Sequence, residues 1–164
     1  MLVLGIDPGT AITGYGLVRE GTEGLTLVDC GVITTAAGMP LPERLQAIYR
    51  GLAELIAAHR PEVAAVEELF FSRNVRTALS VGHARGVALL ALADAGLPIY
   101  EYKPLEVKQA VAGYGGADKH QVQEMVRMLL NLEDIPRPDD AADAVAVAVC
   151  HIHSARMRML VGRT

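Results

Sequence analysis

Two acidic residues close short apolar runs in this chain of 164 residues, Asp7 in Gly5-Ile6-Asp7-Pro8-Gly9 and Glu67 in Ala64-Ala65-Val66-Glu67-Glu68. Two more, Asp140 and Asp143, stand three apart in Asp139-Asp140-Ala141-Ala142-Asp143, a spacing that puts both on one face of a helix. Carboxylates crowded into one cleft repel one another, and without a counter-charge some of them hold protons. A hard divalent cation removes the conflict, and Mg²⁺ or Mn²⁺ takes its oxygen ligands from a few carboxylates, water and substrate phosphate. Two such ions roughly 3.5 to 4 Å apart activate a water and stabilise the leaving oxygen in phosphodiester hydrolysis. Plainer readings exist for single members of the set: Asp7 as a turn former before Pro-Gly, and Asp139 and Asp140 as caps of the last helix. Glu67 and Asp143 resist them, because an acid at the end of an apolar strand, or within an apolar helix stripe, wants a partner. Taken together, the four acids favour a metal site.

For these acids to meet, the elements that carry them must share one edge. Leu2 to Asp7 reads as a buried strand, Tyr15 to Arg19 and Leu25 to Thr34 as two further strands in an antiparallel meander, and Leu41 to His59 as an amphipathic helix stopped by Arg60-Pro61. Val63 to Glu67 is the next strand, Asn74 to Ala95 a helix, and Ile99 to Tyr102 a fifth strand. Helices are expected near Pro104 to Ala112, Lys119 to Asn131 and from Asp139 onward, with the glycine-rich Gly113-Tyr114-Gly115-Gly116 between the first two. This order predicts one α/β domain over residues 1–164, with a five-stranded mixed sheet, three strands antiparallel and two parallel, and helices on both faces. Parallel pairing of the strands ending in Asp7 and Glu67 puts both carboxylates at the carboxyl edge, where open α/β folds place their sites.

Composition bounds the partner. Hydrophobic residues make up 51% and charged residues 21%, an ordinary globular balance, while 15 Lys plus Arg against 19 Asp plus Glu leave a net charge of −4. Bulk charge therefore does not announce a nucleic-acid binder, and any basic patch must be local. One exists: from Leu69 to Ala93 there is no acid, while Arg73, Arg76 and Arg85 give +3 next to Glu67. Such a cluster neutralises phosphates and releases counterions. Phe70 and Phe71 are the only phenylalanines; successive side chains of an extended segment alternate, so one is predicted to face outward, where it can stack on an unpaired base. Lys119 opens a helix after the glycine-rich connection, but His120 follows it, so a GxxxxGK[ST] phosphate loop is not met and nucleotide binding is rejected. Backbone amides there could still cradle a DNA phosphate. Ala78, Gly82 and Gly86, four apart, form a flat helix strip suited either to close packing on the sheet or to a two-fold dimer. Cys30 and Cys150 stand alone, and the start lacks a signal peptide's basic region and long apolar stretch, so the expectation is a cytosolic, reduced protein.

Five ordered motifs make the sequence resemble the RuvC-type Holliday-junction resolvases of bacteria over nearly the whole chain. They are Gly5-Ile6-Asp7-Pro8-Gly9 with Thr13-Gly14-Tyr15-Gly16, Val66-Glu67-Glu68-Leu69-Phe70, Ala84-Arg85-Gly86-Val87-Ala88, Tyr102-Lys103-Pro104 through Val107-Lys108-Gln109, and Asp140-Ala141-Ala142-Asp143-Ala144. The resemblance implies an RNase H-like fold, a homodimer, and a metal-dependent endonuclease that nicks two strands symmetrically at a four-way DNA junction beside the RuvA and RuvB branch-migration proteins. Carried over by motif, Asp7, Glu67, Asp140 and Asp143 become the metal-binding catalytic acids, Lys108 and Lys119 fall where the family has basic residues near the scissile backbone, and Phe70 is favoured over Phe71 as the base contact. Some members have His in the place of Asp140, and Glu68 sits where another side chain is common. Two other readings compete. An ATP-binding protein of the actin and sugar-kinase type shares the look of Asp7-Pro8-Gly9-Thr10 but needs two related domains; a non-catalytic junction-binding module would leave the acids structural.

Overall fold

The computed structural model describes residues 1–68 and 74–161. Three strands, β1 (Leu2–Asp7), β2 (Ile12–Gly21) and β3 (Gly24–Thr34), form the meander, followed by α1 (Leu41–His59), β4 (Val63–Glu67), α2 (Val75–Asp94) and β5 (Ile99–Tyr102). The chain ends in α3 (Pro104–Ala112), α4 (Lys119–Leu129) and α5 (Asp139–Val161). The sheet runs β3-β2-β1-β4-β5, with β1, β2 and β3 antiparallel and β4 and β5 parallel to β1. Each expected element is present, and the strand expected over Tyr15 to Arg19 extends at both ends.

The alternation of side chains across the pleat explains why there are two cores. Leu4, Ile6, Ala64 and Val66 face α1 and α2, meeting Ile48, Leu52, Ala84, Ala88 and Leu92. Val3, Val63 and Ala65 face the other way, onto Val107 and Val111 of α3, Val122 and Val126 of α4, and the apolar body of α5. By length and composition α5 would suffice to cross a bilayer, but every residue from Ala144 to Ile152 is buried, which marks it as the core helix of this fold.

Close approach of α5 depends on glycines in the strands beneath it. A Cβ added at Gly5 would collide with the carbonyl oxygen of Ala144, one at Gly14 with that of Asp140, and one at Gly16 with Val145. The helix therefore rests on the sheet backbone itself, and its first turn, carrying Asp140, is seated directly over Gly14.

Farther along α5, His151 is 3% exposed and its Nδ1 lies 2.9 Å from the Tyr102 hydroxyl, with the Tyr100 ring at 4.6 Å. Burial, and then the Arg158 guanidinium, hold its imidazole down at about 4. In the unfolded chain the ring protonates near 6.5. A depressed folded-state value means that stability present above pH 6.5 is lost as the pH falls toward 4. Urea denaturation at pH 7.5 and pH 4.5 is expected to show His151→Phe losing about 2 kcal/mol less than the wild type over that interval; equal losses would sink this role. His153 turns elsewhere, its Nδ1 2.8 Å from the Ala110 carbonyl, so the two histidines form no pair.

Candidate active site

Asp7 and Glu67 leave the sheet together because β1 and β4 are parallel and in register, Ile6 standing beside Val66. On the other side of β1, Gly14 pairs with Asp7. The first turns of α5 then lie across this edge and bring Asp140 and Asp143 to the same place. Asp7 shows the consequence of the crowding: burial first, then the Glu67 and Asp143 carboxylates, a hydrogen bond to Glu67 and finally Asp140 push it up to about 8. Glu67 is raised by burial and by Asp143, and is held back by its hydrogen bond with Asp7 and by Lys119. Asp7 is therefore the protonated partner and donates to the Glu67 carboxylate. Asp143 is raised by burial, against the pull of Lys119.

Lys119 supplies the positive charge that this crowding demands. It sits at the first position of α4, and its Nζ is 2.9 Å from Asp143 and 3.5 Å from Asp139. Burial pulls the ammonium down, but the pairing with Asp143 and Asp139 more than offsets that and leaves it above the ordinary lysine value. The helix start that carries it is fixed by a reciprocal cap: Asp118 accepts from the Gln121 amide at 2.9 Å, and Gln121 accepts from the Asp118 amide at 2.9 Å. That cap takes up the Asp118 and Gln121 amides at the start of α4 and leaves the amides of the glycine-rich connection as the part of the expected phosphate cradle that it does not touch. Asp139, expected as a possible cap, instead turns to Lys119 and to Gln123, 3.2 Å away.

Glu67, Asp143, Lys108 and Lys119 line one cleft of about 200 Å³, closed at its back by Val107 and Val122. Among the described residues no three His, Cys, Asp or Glu side chains already converge on one point at ligating distance. The charges explain the spread: Asp7 and Glu67 share a proton, and Asp143 is drawn toward Lys119. The donors nevertheless fit Mg²⁺ or Mn²⁺, being hard carboxylate oxygens whose mutual repulsion a divalent cation relieves.

Of the expected basic residues, Lys108 and Lys119 join the cleft, and Arg76 lines a second cleft that also reaches Asp140. Arg85 departs from expectation. Its guanidinium forms a half-buried ion pair with Glu101 on β5, and its Nε is buried without a hydrogen-bond partner, so it already has an acidic partner within the chain. Phe70, Phe71 and Arg73 lie outside the described residues. The Glu68 amide donates to the Tyr102 carbonyl at 2.8 Å, which ties that residue to β5. Sequence reasoning missed Thr10 and Thr13, 4% and 0% exposed. Thr13 Oγ1 donates to the Gly9 carbonyl at 2.7 Å, and Thr10 Oγ1 donates to the Ser80 carbonyl at 2.5 Å, so the turn after Asp7 is anchored to both β2 and α2. The signal was the clustering of hydroxyls within a few residues of an acid in a tight turn.

The model of the crossover junction endodeoxyribonuclease RuvC family matches residues 3–151. This chain belongs to the RuvC family. The RuvC of Chloroflexus aurantiacus (strain J-10-fl) is 65% identical over 155 residues, covering 94% of both chains, and that of a Roseiflexus species (strain RS-1) is 64% identical over 154 residues, covering 94% of this chain and 92% of the other. Among solved structures, that of Thermus thermophilus RuvC in complex with Holliday junction substrate superposes with a TM-score of 0.91 at 44% identity over 96% of each chain. The yeast mitochondrial Holliday junction resolvase Ydc2, at 14% identity and a TM-score of 0.72, shares the fold, covering 96% of this chain and 80% of its own. The fold is accordingly RNase H-like, and the chain is a nuclease of the crossover junction endodeoxyribonuclease class. It resolves Holliday junctions in DNA recombination and repair.

Proposed function

We propose that Asp7, Glu67, Asp140 and Asp143 hold Mg²⁺ or Mn²⁺, as two ions, and that this centre cuts two strands of like polarity in a four-way DNA junction, leaving 5′-phosphate and 3′-hydroxyl ends. The observation that carries the reading is the gathering of four acids at one sheet edge with Lys119 among them. When bound, the cations supply an activated water and charge stabilisation at the phosphorus. The residues of the chain do the rest. Asp7 and Glu67 would hold the cation as carboxylates, without the proton they share in its absence, and Lys119 would exchange Asp143 for the backbone phosphate, retaining Asp139 as its second partner. Lys108, on the same cleft, neutralises a neighbouring phosphate. Phe70, Phe71 and Arg73 are assigned to DNA contacts by the family motif, and Arg76 by its place in the adjoining cleft.

A homodimer follows from the chemistry of paired incision, and α2 offers a surface for it. Val75, Leu79 and Leu90 are 73%, 58% and 54% exposed, and between them a Cβ added at Gly82 or Gly86 meets nothing. The strip is thus not used for packing on the chain's own sheet, and a two-fold copy of α2 fits it. We further place the dimer in the cytoplasm beside the RuvA and RuvB proteins, on the strength of the family resemblance.

Incubating the purified protein with a synthetic four-way junction, with and without Mg²⁺ or Mn²⁺, tests the reading. Paired nicks in opposite strands are expected only with metal and only on the junction, not on linear duplex of the same sequence. Tight binding without nicks under either metal would leave the acids structural and overturn the assignment.

A further inference from the structure

Beside Asp140, on the side facing α2, lies a cleft of about 460 Å³ that the acid cluster does not use. Its walls are Ala11 and Ile12 on one side and Arg76, Thr77 and Val81 on the other, with Asp140 at the end nearest the acids. We propose that this cleft seats one nucleotide next to the scissile phosphate, its base and sugar against Ile12, Ala11 and Val81 and its outer phosphate on Arg76. The proposal rests on the reading of the four acids as the cleavage centre, since it is Asp140 that joins the cleft to them.

Three features make the cleft suited to a nucleotide. Its volume falls within the range of small-ligand sites, which begins at roughly 300 Å³. Its surface offers what a nucleotide needs: the apolar side chains of Ala11, Ile12 and Val81 for a base, the hydroxyl-bearing Thr10, Thr77 and Ser80 beside them, and a single cation, Arg76, with the one acid, Asp140, at the end toward the cleavage centre. Ile12 is 40% exposed, a β-branched side chain uncovered at the mouth, and among the described residues the Arg76 guanidinium has no acidic partner. The helix end is no rival for the phosphate, because the Arg76 and Thr77 amides already donate to the Asn74 side chain at 3.1 and 3.4 Å. An apolar wall of this kind accepts any base face without reading sequence.

The floor is built in advance. Thr10 Oγ1 donates to the Ser80 carbonyl, Ser80 Oγ donates back to Thr10 Oγ1 at 3.0 Å, Thr35 Oγ1 donates to the Thr10 carbonyl at 2.6 Å, and Arg44 Nε donates to Thr35 Oγ1 at 2.8 Å. These bonds tie Thr10 and Ser80, which line the cleft, to each other and Thr10 onward to Thr35 and Arg44, which fixes the width of the cleft. A base stacked inside a duplex cannot enter such a space, whereas one at a branch point, where strands part, can be turned out. The cleft thus contributes to the choice of a junction over a linear duplex.

An abasic scan tests this. Each nucleotide flanking the cut is replaced in turn by an abasic residue, and kcat/KM for nicking is measured for the wild type and for Ile12→Ala. One flanking position is expected to lower the wild-type value by about 5-fold or more, the order expected for a lost base contact, and to leave Ile12→Ala unaffected. Arg76→Ala should raise KM with kcat retained and reduce the salt slope by about 1. Thr77→Trp, on the exposed first turn of α2, fills the cleft and should reproduce the abasic loss on intact junction. Equal abasic penalties in wild type and Ile12→Ala, with the wild type nicking intact junctions normally, would overturn the cleft assignment alone. A wild type that nicks no junction under either metal would overturn the cleavage reading and this proposal with it.

Discussion

Asp7→Asn is expected to abolish junction cleavage and, in the same protein, to raise the stability of the metal-free fold. Both effects come from one carboxyl. Asp7 is packed at the end of β1 against Glu67, near Asp143 and Asp140, and burial and those charges push it up to about 8 from 3.8. The folded state therefore holds a proton on Asp7 that the unfolded chain releases near pH 4. For an acid raised in this way the sign is opposite to the usual one: stability is present at low pH and is lost as the pH rises through about 8. Asparagine carries no charge at any pH and can still donate a hydrogen bond to Glu67. Because the proton is shared with Glu67, part of the full shift is recovered by that neighbour, and the expected gain at pH 8.5 in EDTA is about 2 to 3 kcal/mol.

The same substitution removes one ligand charge from the proposed cation centre. A loss of about 1,000-fold or more in nicking is expected, because a ligand charge and the position of the activated water go together. Junction binding should survive, since the phosphate contacts proposed for Lys108, Lys119 and Arg76 do not involve Asp7. Added Mg²⁺ should stabilise the wild type in proportion to its occupancy and the variant much less. Denaturant titrations with EDTA and with Mg²⁺, run beside a nicking assay, measure all of this. A variant that is inactive and also less stable without metal would show that Asp7 is a structural acid; undiminished nicking would remove it from the centre.

How much of this was legible beforehand depends on the kind of contact involved. Asp7 and Glu67 stood out because each ends a short apolar run, and the parallel pairing of those runs follows from the helix between them. Asp140 and Asp143 stood out because helical periodicity alone fixes their common face. Lys119 was legible as a basic residue at a helix start, but its partners were not: they lie 20 and 24 positions away on another helix, and the angle between α4 and α5 is set by the packing of Val122 and Val126 on the core. The partner of Arg85 was hidden for a related reason. Arg85 belongs to an acid-free stretch of sequence, yet its partner Glu101 comes from the edge strand, which local charge counting does not see. The strip of Gly82 and Gly86 admitted two readings until the space around it was visible, and that space is open. Thr10 and Thr13 carried no period at all, and only their burial gives them a role.

Gly14→Ala is expected to disable the site through the backbone alone. Gly14 stands opposite Asp7 in the β1–β2 ladder, and above it passes the first turn of α5. A Cβ at this position would collide with the Asp140 carbonyl oxygen and carbon, and would lie 3.2 Å from the Asp140 Cβ. Backbone cannot step aside as a long side chain can, so the start of α5 must lift from the sheet. The strain of such overpacking is typically about 1 to 3 kcal/mol. The effect on the reaction is larger than that strain suggests, because Asp140 moves away from Asp7 and Glu67 by an amount comparable to the methyl group inserted, and a misplacement of about 1 Å can cost on the order of 100-fold in rate. A comparison separates displacement from simple loss of stability. Leu52→Ala, in the core between α1 and the sheet, should cost more stability, about 2 to 5 kcal/mol, yet leave kcat unchanged at a temperature where both variants are folded. Gly14→Ala should lose less stability and far more kcat. If the two variants lose activity in step with their stability, α5 is free to re-seat, and the contact between Gly14 and Asp140 does not set the position of the fourth acid.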